Sequence, residues 1–234
     1  MLHSFKGGKD GANPNGGLIF DGVGNIYGTT FYGGNDNGVC KGGSEGTGCG
    51  TVFEIRLPAK RNGASAEEVL FRFMGRPTDG SGPNGGLVVS SNGDLYGTTI
   101  GGGSQQYGVI FQLAPPVTGG VPWHETLIHT FSGGSDGSGT ETGLVPDFPS
   151  NFYGTSTGGA SHGGVLFRLG AGASDANTEI WNLAVLYDFA GTPDGYGPVS
   201  LVRTRMGTLF GTTQYGGTGQ ACQGGCGAVF QAKP

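Results

Sequence analysis

Four aspartates occupy matching points of this sequence: Asp10, Asp79, Asp136 and Asp194, each followed directly by glycine. Carboxylates presented from four turns could hold a cation, calcium among them, or the hydroxyls of a polyol ligand. The Asp-Gly pair is also a turn former, its side chain accepting from nearby backbone N–H groups, and both readings stand at this point. No D-x-[DN]-x-[DN]-G calcium loop accompanies it. Tyr32, Tyr107, Tyr196 and Tyr215 fall in loops of the same set. A tyrosine beside Gly, Asn and Asp can stack on a sugar ring while carboxylates and amides take its hydroxyls, or it can plug a packing gap. His162, in GGASHGG, could serve acid–base chemistry with Asp136 or a tyrosine. No nucleophile motif stands beside it, since TFSGGSDGSG is not a GxSxG elbow and the glycine-rich loops lack the GK[ST] ending of a phosphate loop.

The remaining chemistry-bearing residues divide into cysteines, an arginine and three histidines. Cys40 and Cys49, and Cys222 and Cys226, stand in pairs just before two related phrases, GTVF and GAVF. The expected arrangement is two local disulfides in an oxidising compartment. The alternative is one zinc ion with four thiolate ligands, for which C-x(8)-C and CxxxC are poor spacings. Arg203 replaces the Phe20, Val89 and Pro146 of its counterparts, and is a candidate for a carboxylate or anion in a central channel. His3 and His129 take places where Phe71 and Tyr187 stand elsewhere, which reads as packing, and His124 lies in a connection.

The elements that position these residues follow from an internal repeat. GNIYGTT from Gly24 recurs as GDLYGTT, SNFYGTS and GTLFGTT, with the aromatic at Tyr27, Tyr96, Tyr153 and Phe210. A leucine precedes each by nine residues, at Leu18, Leu87, Leu144 and Leu201. A GxxF phrase follows each, beginning at Gly50, Gly108, Gly164 and Gly227, and a fourth phrase ends at Phe5, Phe73, Phe131 and Phe189. Each phrase is short, rich in β-branched or aromatic residues, and bounded by Gly, Asn, Asp or Pro, which are strand signals. Four strands per repeat is the content of a propeller blade.

The phase of the repeat predicts an all-β, four-bladed propeller as a single domain over 1–234. The blades are expected at about 16–73, 85–131, 142–189 and 199–234. Residues 2–5 are expected to complete the last blade and close the ring. The YGTT aromatic is expected to pack between neighbouring sheets. The connections carrying the Asp-Gly and Gly-Gly motifs emerge together on one face, the candidate binding face.

DGANPNGGLIFDGVGNIYGTTFYGG…GCGTVFEI resembles the GloVer tandem repeat of bacterial proteins of the choice-of-anchor type. The resemblance covers nearly the whole chain in four copies and implies an exported protein, secreted or at the cell surface. It implies no activity. The third blade departs with Pro146 and Pro149 in VPDFPSNFYGTS, and the fourth is one residue shorter between Asp194 and Leu201.

Composition narrows the function classes. The formal charge is −5 with no basic run, which argues against a nucleic-acid partner. No apolar stretch is long enough to span a membrane, and MLHSFKGG carries no apolar signal-peptide core. The first expectation is a non-catalytic extracellular binding module for carbohydrate, without a cofactor unless calcium sits among the aspartates. A structural protein that self-associates through its glycine-rich surface is the second, and a hydrolase or lyase on extracellular polysaccharide the third.

Overall fold

The computed structural model describes residues 1–35, 38–40, 47–58, 63–75, 77–117, 121–140, 142–148, 151–172 and 180–234. Apart from one 3-10 turn at Gly8–Asp10, the regular structure of the described residues is all strand. No helix among them is long and apolar enough to cross a membrane. Blade 1 contains β1 (Ala12–Pro14), β2 (Ile19–Phe20), β3 (Ile26–Tyr32), β4 (Thr51–Arg56) and β5 (Ala66–Arg72). Blade 2 contains β6 (Gly80–Pro83), β7 (Val88–Val89), β8 (Leu95–Gly102), β9 (Val109–Ala114) and β10 (His124–Thr130). Blade 3 contains β11 (Val145–Asp147), β12 (Asn151–Ser156), β13 (Val165–Ala171) and β14 (Trp181–Asp188). Blade 4 contains β15 (Tyr196–Arg203), β16 (Leu209–Tyr215) and β17 (Ala228–Ala232). All strand pairs are antiparallel between neighbours in each blade. The four sheets stand in a ring as a four-bladed β-propeller.

The repeated phrases are the second and third strands of each blade. Their shared logic is one close contact. A Cβ built on the YGTT glycine at Gly28, Gly97, Gly154 or Gly211 would meet the ring of Phe53, Phe111, Phe167 or Phe230 at 2.6, 2.5, 2.4 or 2.3 Å. The missing side chain leaves the seat for the phenylalanine of the next strand. That phenylalanine in turn meets the last phenylalanine of the preceding blade edge-on. The ring centroids are 5.1 Å apart for Phe73–Phe111, 5.9 Å for Phe131–Phe167 and 5.0 Å for Phe189–Phe230. Three of the four YGTT aromatics pack between sheets as expected, whereas Phe210 of blade 4 is exposed. Tyr27 lies in one core with Leu87, Leu95 and Leu113 of blade 2. Tyr96 packs with Phe152 and Leu169 of blade 3, and Tyr153 with Leu201 and Leu209 of blade 4.

Two expectations need correction. The long connections into blades 1 and 2 are partly strand, because β1 pairs the end of β3 (Ala12↔Tyr32) and β6 pairs the end of β8 (Gly80↔Gly102). The Pro-Asn-Gly-Gly run then interrupts the first strand, leaving short inner pieces at β2 and β7. In blade 4 the one-residue deletion leaves no such interruption, and β15 runs through with a bulge between Pro198 and Ser200. In blade 3, Pro146 sits inside the short β11, and Pro149 lies outside the described residues.

The second correction concerns ring closure. Residues 2–5 form no strand, and blade 4 is a three-stranded sheet. Phe5 still takes the expected packing position, 5.0 Å from Phe53 and beside Ile26 and Ile55. The backbone carbonyl of Leu2 accepts from Ser65 Oγ (2.6 Å) on blade 1. Side-chain packing and this bond hold the segment to blade 1, in place of a ladder with β17.

A groove between blades 1 and 2

The sequence does not continue the YGTT phrase in the same way in every blade. Phe31 and Tyr32 follow it in blade 1, where Ile100 and Gly101 follow in blade 2. The two aromatic rings meet edge-on with centroids 4.7 Å apart. They form the spine between two adjoining cavities of about 320 and 430 Å³. One is walled by Ser81, Gly82, Ile100, Gly101, Gly102 and Gln106 of blade 2, and by Val39 and the Cys40–Cys49 disulfide. The other is walled by Asn13, Pro14 and Asn15. The groove therefore joins an aromatic surface to amide and hydroxyl groups, with no ionisable carboxylate, lysine or arginine among its described lining residues. Asn13 (φ 57°) and Gln106 (φ 73°) hold left-handed backbone. Gln106 is fixed by two bonds to the Gly103 carbonyl, one from its backbone N–H and one from Nε2, both 3.2 Å.

The four aspartates do not reach this groove. Each accepts from a backbone N–H a few residues upstream: Asp10 from Lys6 (2.6 Å), Asp79 from Met74 (2.6 Å), Asp136 from Ser132 (3.0 Å), Asp194 from Ala190 (3.1 Å). These bonds belong to the turn reading of the Asp-Gly pair. Of the four tyrosines, Tyr32 alone lines the groove. Tyr107 lies over Gly133 at the blade 2–3 loops, and Tyr196 stacks on Tyr215 at 5.0 Å within blade 4. His162 is exposed in blade 3, its Nδ1 3.1 Å from the Gly159 carbonyl, in the turn that matches that of Gln106.

Arg203 reaches sideways to Asp147 of blade 3 (2.8 Å). The cavity on the propeller axis, about 420 Å³, is lined instead by residues from all four blades, among them Asn15, Asn84, Thr142 and Ser200. Asn15 Nδ2 donates to Asn84 Oδ1 across the first two blades. The four cysteines form two local disulfides, Cys40–Cys49 and Cys222–Cys226, so no thiolate remains for zinc. His3 and His129 pack edge-on against Phe5 and Phe131 as expected, but each also contacts the aspartate of the following turn.

Sequence reasoning by shared motif missed Phe31, Ile100, Gln106, Asn13 and Asn15. The available signal was the departure itself: only blade 1 follows its YGTT with two aromatic residues. A second missed feature is a buried carboxyl pair behind the groove wall. Glu125 of β10 lies against Asp79, and burial, then the Asp79 charge and hydrogen bond, push the Glu125 carboxyl up to about 9. Burial raises Asp79 as well, but its bonds from the N–H groups of Met74 and Gly80 favour the charged form. The proton of the pair therefore sits on Glu125.

The profile of the Gloeobacter/Verrucomicrobia repeat matches residues 1–145 and again 37–234, so two overlapping matches span the chain. No curated protein matches it. With four blades built from one phrase set and a profile covering every blade, the chain belongs to the Gloeobacter/Verrucomicrobia repeat family.

Proposed function

We propose that the protein is a non-catalytic extracellular binding module whose ligand is a neutral carbohydrate, held in the groove between blades 1 and 2. The observation that carries this is the Phe31–Tyr32 pair flanked by Asn13, Asn15, Ser81 and Gln106. Sugar rings offer apolar faces for aromatic contact and hydroxyls for amide groups, and the lining supplies both without charge. Strand ladders on either side and the Cys40–Cys49 disulfide fix its walls. The two disulfides fit an oxidising, extracytoplasmic compartment. A thermal-shift screen against neutral oligosaccharides tests the reading. A ligand at 100 times its Kd adds about 2.7 kcal/mol, a rise of roughly 5–10 °C for a domain of this size. The rise is expected to vanish in Tyr32→Ala and to persist in Tyr215→Ala. A flat panel, or a rise indifferent to Tyr32, contradicts the proposal.

A different observation favours a second reading, self-association. Val52, Ile110 and Leu166 on the third strands of blades 1–3 are fully buried against the next blade, whereas Val229 in the same place on β17 is 78% exposed. Leu18 of blade 1 is 58% exposed, against 4% for Leu87. These apolar side chains mark the blade 4–blade 1 junction, where the ring is not sealed by a packed seam, and a second copy docking there would cover them. Sedimentation of the wild type is expected to show concentration-dependent association that Val229→Glu abolishes with little change in Tm. A wild type that stays monomeric at high micromolar concentration removes this reading.

A further inference from the structure

We propose that His3, Asp10 and Glu67 form a binding site for one divalent transition-metal ion of the zinc type, which staples the N-terminal segment to blade 1. One ligand atom from each lies within 4.8 Å of the other two. His3 Nε2 is 3.2 Å from Asp10 Oδ1. A tetrahedral ion with bonds of about 2.0–2.2 Å holds its ligand atoms roughly 3.3 Å apart, so this pair already has ligand spacing. The chain positions each group separately. Asp10 is held by Lys6 N–H through Oδ2, which leaves Oδ1 toward the histidine. The His3 ring packs edge-on against Phe5 (4.7 Å), and Glu67 projects from β5.

The polar atoms left over point to a missing partner. His3 Nε2 and Glu67 Oε1 are both shielded from solvent, and neither has a hydrogen bond. Buried polar atoms are normally satisfied, and a cation satisfies a nitrogen and two carboxylates together.

The later seams of the same fold serve as internal controls. Between blades 1 and 2, Asp79 meets Glu125, the counterpart of Glu67, but Phe71 stands where His3 would be. With no nitrogen ligand, that pair holds a proton. Between blades 2 and 3, His129 and Asp136 recur, and Leu183 takes the glutamate position. There the imidazole makes an ordinary hydrogen bond, Nε2 to Asp136 Oδ2 at 3.0 Å, and is satisfied. Among the described residues, only the first seam has all three ligands, and only there does the histidine nitrogen contact its aspartate without a hydrogen bond. An imidazole with two carboxylates suits zinc and its neighbours in the first transition row, whereas calcium takes six to eight oxygens.

Calorimetric titration of the EDTA-stripped protein with zinc tests the site, with cobalt absorption as a readout of geometry. The wild type is expected to bind one zinc per chain. Loss of outer-shell partners alone typically weakens a metal site by 10–100-fold, so Glu67→Gln and His3→Ala should each weaken binding by about a hundredfold or more. His129→Ala, which removes the matching histidine of the later seam, should leave it unchanged. Melting curves without metal confirm that each variant is folded, and His3→Ala lies outside every strand. Absence of one-to-one binding in the wild type overturns the proposal, as does zinc binding that survives both substitutions or is lost in His129→Ala.

Discussion

Phe111→Ala is expected to lower stability by about 3–5 kcal/mol, and Gly97→Ala by about 1–3 kcal/mol, although one substitution removes atoms and the other adds them. Both act on one contact. Phe111 is fully buried, joining the core of blade 2 to Phe73 of blade 1. Its ring occupies the space that a Cβ on Gly97 would need, and the same Cβ would meet Leu87 at 2.8 Å. At roughly 2–4 °C per kcal/mol for a chain of this length, Tm should fall by about 6–20 °C in the first variant and 2–12 °C in the second. The pair can be tested as a cycle. Phe111→Leu leaves a smaller side chain beneath Gly97, so Gly97→Ala should cost less in that background than in the wild type. Equal costs in both backgrounds would show that the glycine serves some purpose other than seating the ring.

Raising the pH from 5 to 9 is expected to destabilise the protein through Glu125. In the unfolded chain this carboxyl titrates near 4.5, and in the folded protein near 9. Between those values the folded state keeps a proton that the unfolded state has released. The contribution is therefore complete below about pH 4.5 and is lost as pH rises toward 9, at up to about 1.4 kcal/mol per pH unit. Glu125→Gln keeps a donor toward Asp79 and removes the titration. Its urea midpoint should fall less steeply over this window and exceed that of the wild type at pH 8. Identical pH slopes in the two proteins would place the proton elsewhere. The pair also braces the groove, because the Asp79 carbonyl accepts from Gly103 N–H (2.7 Å) and Gly80 pairs with Gly102. Ligand binding should weaken in the alkaline part of the same range.

Much of this architecture can be read from the sequence because the blades solve the same packing problem four times. The YGTT glycine, the GxxF phenylalanine and the closing phenylalanine of the preceding blade interlock at each seam, so they recur in fixed phase. Features that break the repeat were less legible. The split of the first strand into β1 and β2, and its fusion in β15, follow from how Pro-Asn-Gly-Gly and its shortened counterpart pass the sheet edge. Residues 2–5 have the right pattern for a closing strand, yet Phe5 finds its pocket without a ladder to β17. Repetition of the aspartates suggests a four-fold site, but each closes its own local turn and none reaches the groove. The groove was illegible as a motif because Phe31 and Tyr32 occur at one seam only and depart from the repeat there. Glu67 and Glu125 were missed because each meets an aspartate far away in sequence, and only the packing of blade on blade makes them neighbours.

The most direct test of the groove as the functional site is to map a bound neutral oligosaccharide by amide and side-chain chemical shifts in the isotope-labelled protein. The groove proposal predicts saturable shifts concentrated at Asn13, Asn15, Phe31, Tyr32, Ser81 and Gln106, which disappear in Tyr32→Ala. Shifts centred instead on the turns of Asp136 and Asp194, or no saturable shifts with any sugar tested, would contradict it.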